Sequence, residues 1–122
     1  MRQYKDSRYW VSKDGEIYSH YPGKTWYYTG RNGKEYGREY KEKWFLRKIQ
    51  INKDGYGFFC GTFSGKRFTL SAHRVIAECY LGPCPNGLEV DHIDGNKLNN
   101  QISNLQYITP EENKAKRRFK NL

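Results

Sequence analysis

The chain has 122 residues, of which 16% are aromatic, and its mean hydropathy is −1.03. That length suits one small domain with a modest core, and so many aromatic residues exclude a disordered chain. Lys and Arg number 22 against 13 Asp and Glu, so the net charge is +9 and a polyanionic partner such as nucleic acid is favoured.

Membrane, secreted and disulfide-rich classes are not indicated. No apolar run approaches the roughly 20 residues of a membrane span, and no signal-peptide pattern opens the sequence. There are 3 cysteines and no C-x-x-C pair, so neither a disulfide framework nor a four-ligand zinc site is predicted. We therefore expect a cytoplasmic protein with reduced thiols and no membrane partner.

Short strands separated by turns are predicted for the first two-thirds of the chain. β-Branched and aromatic residues lie between dipeptides that are typical of hairpin turns. The clearest hairpin runs from Tyr56–Phe63 through a turn into Phe68–Leu70. We expect residues 1–67 to form a β-rich module. The turn dipeptides are Asp14-Gly15, Asn32-Gly33, Asp54-Gly55 and Ser64-Gly65.

This module is rich in aromatic and basic residues, and two of its segments show this most clearly. They are Trp26-Tyr27-Tyr28 and Arg38-Glu39-Tyr40-Lys41. A strand surface of this kind can lie in a groove of DNA, so we expect the module to contact DNA. The alternative is that these aromatic residues form the hydrophobic core.

An amphipathic helix is predicted after Ser71, which can cap its first turn, and Gly82-Pro83 should end it. The first turn carries His73 and Arg74. A helical stripe of apolar residues supports the prediction. The stripe consists of Ala72, Val75, Ile76, Cys79 and Tyr80.

The last third of the chain predicts strand, polar loop, strand and helix. The strands are Leu88–Asp91 and Leu105–Ile108, and the helix runs from Pro110 to about Phe119. Thr109 fits the N-cap and Glu112 completes a capping box. An antiparallel hairpin with a helix packed across it brings the end of the first strand to the start of the helix. That arrangement gathers the Asp91 carboxylate, the His92 imidazole and the Asn113 carboxamide around one small volume.

The residues around this volume resemble an HNH nuclease motif, in the version found in bacteriophage homing endonucleases and related phage nucleases. Three segments carry the resemblance: Val90–Asn100, Ser103–Tyr107 and Pro110–Asn113. The helix segment His73–Ala77 resembles the lead into that motif, and Tyr9–Ile17 is similar to a small module often placed before it.

The resemblance implies an α+β fold: N-terminal antiparallel β hairpins, one helix, then a C-terminal ββα-metal (HNH) unit over residues 68–122. It implies hydrolysis of DNA phosphodiester bonds, in the host cell cytoplasm if the protein is phage-encoded. By the same resemblance His92 is the general base, Asp91 and Asn113 are metal ligands, and Asn104 is the central Asn that bridges the loop and holds the base. Asn104 could equally have a loop-bridging role alone.

The cofactor implied is one divalent cation. Asp91 and Asn113 offer oxygen donors, which favour Mg²⁺ or Mn²⁺ over Zn²⁺ or Ni²⁺. His92 suits proton transfer near neutral pH. We expect His73 to pack against the hairpin rather than to contact substrate, and Asp94 to serve the geometry of its turn.

Basic residues near this unit are expected to bind backbone phosphates of double-stranded DNA, without reading its sequence. Most follow the last predicted strand, in the final helix and beyond it. They are Arg74, Lys97, Lys114, Lys116, Arg117, Arg118 and Lys120.

Two other functions stay open. One is a non-catalytic DNA-binding or DNA-packaging accessory protein that keeps the fold, and the other is a nuclease that acts on RNA. The oligomeric state is open as well, and one site per chain predicts nicking before double-strand cleavage. Because the sequence ends soon after the nuclease unit, tight recognition of a long DNA site is not expected.

Overall fold

The computed structural model describes the backbone of residues 1–120 and the side chains of residues 1–116. Within these residues the chain forms eleven β-strands, two α-helices and one short 3-10 turn, which confirms the predicted α+β class. All strand pairs are antiparallel. None of the described helices is long and apolar enough to cross a membrane.

The N-terminal part contains a four-stranded sheet and a separate two-stranded ribbon. Val11 and Ile17 face inward from the sheet and are fully buried. The sheet has the order β1-β2-β3-β6, and the ribbon consists of β4 and β5. The strands are β1 (Arg2–Gln3), β2 (Tyr9–Val11), β3 (Ile17–Tyr21), β4 (Lys24–Thr29), β5 (Glu35–Tyr40) and β6 (Lys43–Leu46).

Every residue of the β4–β5 ribbon is exposed. Trp26, Tyr27 and Tyr28 are 56%, 76% and 57% exposed, so these aromatic side chains do not belong to the core. Lys24 lies over the Trp26 ring at 4.9 Å, which interleaves charge with aromatic surface. The ribbon therefore presents an aromatic surface with interspersed charges of both signs to solvent.

The predicted central hairpin is present as β8 (Gly57–Phe63) and β9 (Lys66–Ser71), with β7 (Gln50–Ile51) beside it. The second strand begins at Lys66, earlier than predicted. Ser64 and Gly65 alone make the turn, with φ of 48° and 79°, as a two-residue hairpin loop with two positive φ angles requires.

Helix α1 (Ala72–Leu81) follows directly and confirms the predicted helix. It begins after Ser71, which lies at the N-cap position without a capping side-chain bond. It ends at Gly82, whose φ of 86° suits glycine and whose N–H donates to the Glu78 carbonyl.

The C-terminal unit consists of β10 (Glu89–His92), a polar loop, a 3-10 turn (Ile102–Asn104), β11 (Leu105–Ile108) and α2 (Pro110–Lys120). In the β10–β11 register Asp91 pairs with Gln106 and His92 with Leu105. Thr109 is the N-cap of α2 as predicted, because its Oγ1 accepts the Glu112 N–H at 3.2 Å.

One core joins the N-terminal sheet to the C-terminal unit. Val11 and Ile17 from the sheet pack in the same cluster as Phe59, Ile76 and Leu105. The boundary expected between residues 67 and 68 falls inside β9, so the division into two modules stays a prediction. The common core fixes the position of the N-terminal turns against the loop after β10.

Candidate active site

The end of β10 and the first turns of α2 form the walls of a cavity of about 480 Å³. Asn113 and Lys116 are three residues apart on α2, so they lie on one face of the helix. That face is turned to Asp91 and His92 at the end of β10. The structure thus brings together the carboxylate, imidazole and carboxamide that the sequence predicted. Further residues of the wall are Asp54, Tyr56 and Lys97.

His92 is 5% exposed and has a single side-chain hydrogen bond among the described residues. Its Nε2 lies 2.8 Å from Oδ1 of Asn100, and because an amide oxygen can only accept, this bond requires the proton on Nε2. With the proton on Nε2, the lone pair of Nδ1 is free to accept a proton. This is the arrangement that a general base requires.

Two aromatic rings pack against His92. The His73 ring lies 5.2 Å and the Tyr56 ring 6.1 Å from it, and these two rings are 5.0 Å apart. Burial, together with the nearby His92 and Arg74, lowers the pKa of His73 to about 4, so His73 is neutral near pH 7. Its buried Nδ1 has no partner among the described residues. His73 therefore packs beside the candidate base, not against the β10–β11 hairpin alone.

Asp91 is 7% exposed and has two partners. Gln106 donates to its Oδ2 at 2.9 Å, and the Lys116 ammonium lies 2.5 Å from the same oxygen. The ammonium also lies 3.3 Å from the carbonyl oxygens of His92 and Ile93. A cation of this chain is thus held by three oxygen atoms at the base of the cavity.

The oxygen atoms around the Lys116 ammonium indicate whether these residues suit a divalent ion. Asp91 and the two carbonyls hold the Lys116 ammonium, so this position accepts positive charge. Asn113 donates its Nδ2–H to Glu89 at 2.5 Å, which leaves its Oδ1 as a possible ligand. Residues 1–116 contain no group of three or more His, Cys, Asp and Glu that could hold a metal. The donor set therefore fits a hard ion with few protein ligands and a shell completed by water and substrate.

Asn104 bridges the loop after β10, and none of its side-chain hydrogen bonds among the described residues is to His92. Its Oδ1 accepts the Asp94 N–H, and its Nδ2 donates to the Asp94 carboxylate and the Asn99 carbonyl. Hydrogen bonds from Asn99, Asn96 and Asn104 lower the pKa of Asp94 to about 2. Asp94 is thus more than a turn former, because it is the acceptor around which the loop is organised.

The basic residues expected to bind phosphate fall into three groups. Arg74 and Lys114 are exposed. Lys97 donates to the Asp54 carbonyl at 2.8 Å and lies over the Tyr56 ring, while Lys116 is held by Asp91. The side chains of Arg117, Arg118 and Lys120 lie outside the described residues.

Sequence reasoning missed three residues of the site: Asn100, Tyr56 and Gln106. Gln106 could have been found from the strand register, since it pairs with Asp91 in the hairpin. Asn100 resembled an ordinary turn residue. Tyr56 lies just before β8, far from His92 in the sequence, and no local pattern links the two residues.

Most residues of the site lie within a segment that matches a known family. Residues 71–115 match the model of a family described as HNH endonuclease. Over 111 residues, 88% of this chain and 50% of the relative, the chain is 37% identical to the DNA endonuclease I-HmuI of Bacillus phage SP01. It is 33% identical over 84 residues, 66% of this chain and 44% of the relative, to the H-N-H endonuclease F-TflII of Escherichia phage T5.

A solved structure of an HNH endonuclease also resembles this chain. It is described as DNA binding and cleavage by the HNH homing endonuclease I-HmuI, and it matches this chain with a TM-score of 0.68 and 32% identity. The match covers 97% of this chain and 55% of that one. The chain therefore spans about half the length of the relatives that it matches.

Proposed function

Because residues 71–115 match the HNH endonuclease family model and the chain has the fold of the homing endonuclease I-HmuI, we propose that this protein is an HNH endonuclease that hydrolyses phosphodiester bonds of double-stranded DNA. The observation that supports this most is His92. Its Nε2–H is bonded to Asn100, and the ring lines a cavity whose wall also carries the Asp91 carboxylate and the Asn113 carboxamide.

In the proposed reaction His92 is the general base. Its Nδ1 takes a proton from a water molecule while the water oxygen attacks phosphorus and the P–O3′ bond breaks. The leaving 3′ oxygen takes a proton from a second water molecule, so 5′-phosphate and 3′-hydroxyl ends result. Asp91 and Asn113 would hold one Mg²⁺ or Mn²⁺ ion, with Zn²⁺ or Ni²⁺ less suited to oxygen donors. Such an ion stabilises the charge that develops on the phosphate and on the leaving oxygen.

DNA is held by positive charge in this proposal. The net charge of +9 favours a polyanion. Arg74, Lys97 and Lys114 are exposed, and Lys97 lines the cavity. Lys116, which contacts Asp91 in the wall of the cavity, would add positive charge close to a bound phosphate. The exposed β4–β5 ribbon has the width of an element that enters a DNA groove. Arg117 and Arg118 follow Lys116 directly in helix α2.

A plasmid assay tests the proposal. Supercoiled DNA incubated with the protein and Mg²⁺ or Mn²⁺ should be nicked first and linearised later, and His92→Ala should abolish both products. His20→Ala is the matched control, because His20 stacks on Trp44 in the N-terminal sheet. Equal behaviour of wild type and His92→Ala with every divalent ion would sink the proposal.

The same assay separates the second candidate, a DNA-binding or packaging accessory protein without catalysis. The ion pair between Lys116 and Asp91 favours it, since a carboxylate already neutralised has less need of a metal ion. DNA binding that survives Asp91→Ala, with no cleavage by the wild-type protein at any metal concentration, would support this candidate. A parallel reaction with RNA in place of DNA tests the remaining candidate, a nuclease that acts on RNA.

A further inference from the structure

The His92 imidazole has two nitrogens, and only the unprotonated one can take a proton from water. Which nitrogen that is depends on the bond made by the other. We propose that Asn100 is the positioning residue that holds His92 as the Nε2–H tautomer, and that the turn of residues 12–15 in the N-terminal sheet holds Asn100 in place. This inference rests on the proposed function, in which His92 is the base.

The bond between the two side chains is buried. Asn100 is 7% exposed and His92 is 5% exposed, so water cannot readily replace either partner. The amide oxygen of Asn100 can only accept a hydrogen bond, and it therefore selects the ring form that carries the proton on Nε2. The His73 and Tyr56 rings restrict rotation of the imidazole.

Neighbouring Asn residues do not share this role. Asn99 donates to the Asp94 carboxylate, and Asn104 bridges Asp94 and the Asn99 carbonyl. Both stabilise the path of the loop. Among the described residues, only Asn100 makes a side-chain hydrogen bond to His92.

The N-terminal turn packs directly against Asn100. At Gly15, whose φ is +90°, an added Cβ would lie 2.8 Å from the carbonyl carbon of Asn100 and 3.2 Å from its Cβ. In the same place the Ile102 N–H donates to the Lys13 carbonyl at 2.9 Å. The turn thus closes one side of the Asn100 backbone, and the β-rich part of the chain contributes to the order of the active site.

Nitrogen NMR of the imidazole rings tests the proposal without any need for cleavage. Long-range ¹H–¹⁵N spectra of the labelled full chain, without DNA or metal and at about pH 8 where an imidazole is neutral, distinguish the two tautomers. The resonance absent from His92→Ala identifies His92. In the wild-type protein we expect only the Nε2–H form, and in Asn100→Ala a mixture of both tautomers.

Asn99→Ala is the matched control and should keep the Nε2–H form, because Asn99 does not touch the ring. Asn100→Asp should keep it too, since a carboxylate can only accept. Should Asn100→Ala fail to fold by circular dichroism, Asn100→Asp decides alone: a His92 ring in the Nε2–H form supports the proposal and an Nδ1–H form overturns it.

Two spectral results overturn the proposal while leaving the nuclease function intact. They are a wild-type His92 in the Nδ1–H form and an Asn100→Ala protein with only Nε2–H. In cleavage, Asn100→Ala should lower kcat by about 10- to 100-fold with KM for DNA within about twofold. If the wild-type protein cleaves no DNA, the proposed function fails, and the tautomer measurement still reports on Asn100.

Discussion

Among single residues, the ion pair of Asp91 and Lys116 has the largest expected effect on metal affinity. A buried carboxylate is costly without a cation nearby, and this protein supplies one from its own helix. A divalent ion that binds Asp91 would lie close to the Lys116 ammonium on the same carboxylate, and the two cations would repel each other. The ion pair therefore weakens metal binding in the absence of DNA.

Lys116→Met should accordingly bind Mn²⁺ more tightly, by roughly tenfold or about 1.4 kcal/mol. The reason is that Asp91 and the neighbouring carbonyls lose their competing cation while the side chain keeps its length. Titration calorimetry of the protein without DNA measures the change. Lys114→Met, an exposed residue of the same helix, is the control. Equal Mn²⁺ affinities for Lys116→Met and wild type would contradict the competition.

His73 makes stability depend on pH. Its pKa is about 4 in the folded protein and near 6.5 unfolded, so the unfolded chain binds more protons between these values. The contribution of His73 to the free energy of unfolding is complete above about pH 6.5. It decreases as the pH falls towards 4, by at most about 1.4 kcal/mol per pH unit. Urea unfolding at a series of pH values measures it.

His73→Phe removes the titrating group and keeps a flat ring of similar size. Its free energy of unfolding should vary less between pH 6.5 and 4 than that of the wild-type protein. His20→Phe, in the N-terminal sheet, should keep the wild-type dependence. A His73→Phe protein with an undiminished pH dependence would show that another group is responsible.

At the scale of elements, two parts of the N-terminal region have different tasks. The turn at Gly15 is packed against Asn100 and serves the order of the site. The β4–β5 ribbon is exposed along both strands, and in the proposed function it is a surface for contact with DNA. Stability should therefore respond to changes in the turn, and DNA affinity to changes in the ribbon.

Gly15→Ala should destabilise the protein more than Gly33→Ala does. Both residues have a positive φ, which costs a residue with a Cβ about 1–2 kcal/mol. At Gly33 an added Cβ meets nothing within 4 Å, whereas at Gly15 it meets the Asn100 backbone at 2.8 Å. Urea unfolding of both variants compares these costs. Equal destabilisation would mean that the contact with Asn100 is unimportant.

Replacing Lys24 and Arg38 of the ribbon by Gln should weaken DNA binding without lowering stability, because both residues are exposed. For each cation that no longer neutralises a phosphate, the slope of log affinity against log salt should become shallower by about 0.9. Fluorescence anisotropy of a labelled duplex at several salt concentrations measures the slope, and thermal unfolding serves as the control. An unchanged slope would remove the ribbon from the DNA interface.

At the scale of the whole molecule, local patterns and tertiary packing contributed differently to what could be predicted. Helix α1, the β8–β9 hairpin and the β10–β11–α2 unit follow from periodicity, turn dipeptides and caps, which are local. Asn100 and Tyr56 did not follow, since their roles depend on segments such as the Gly15 turn that reach the site only through the common core. Local sequence holds no signal for packing of this kind.

The most direct test of the account compares the nicking rate of wild type and His92→Ala at saturating protein with Mg²⁺, alongside duplex affinity by anisotropy. Loss of a general base should slow nicking by about 10²- to 10⁴-fold and leave DNA affinity unchanged, while His20→Ala nicks at the wild-type rate. A His92→Ala protein that nicks DNA as fast as wild type would contradict the account.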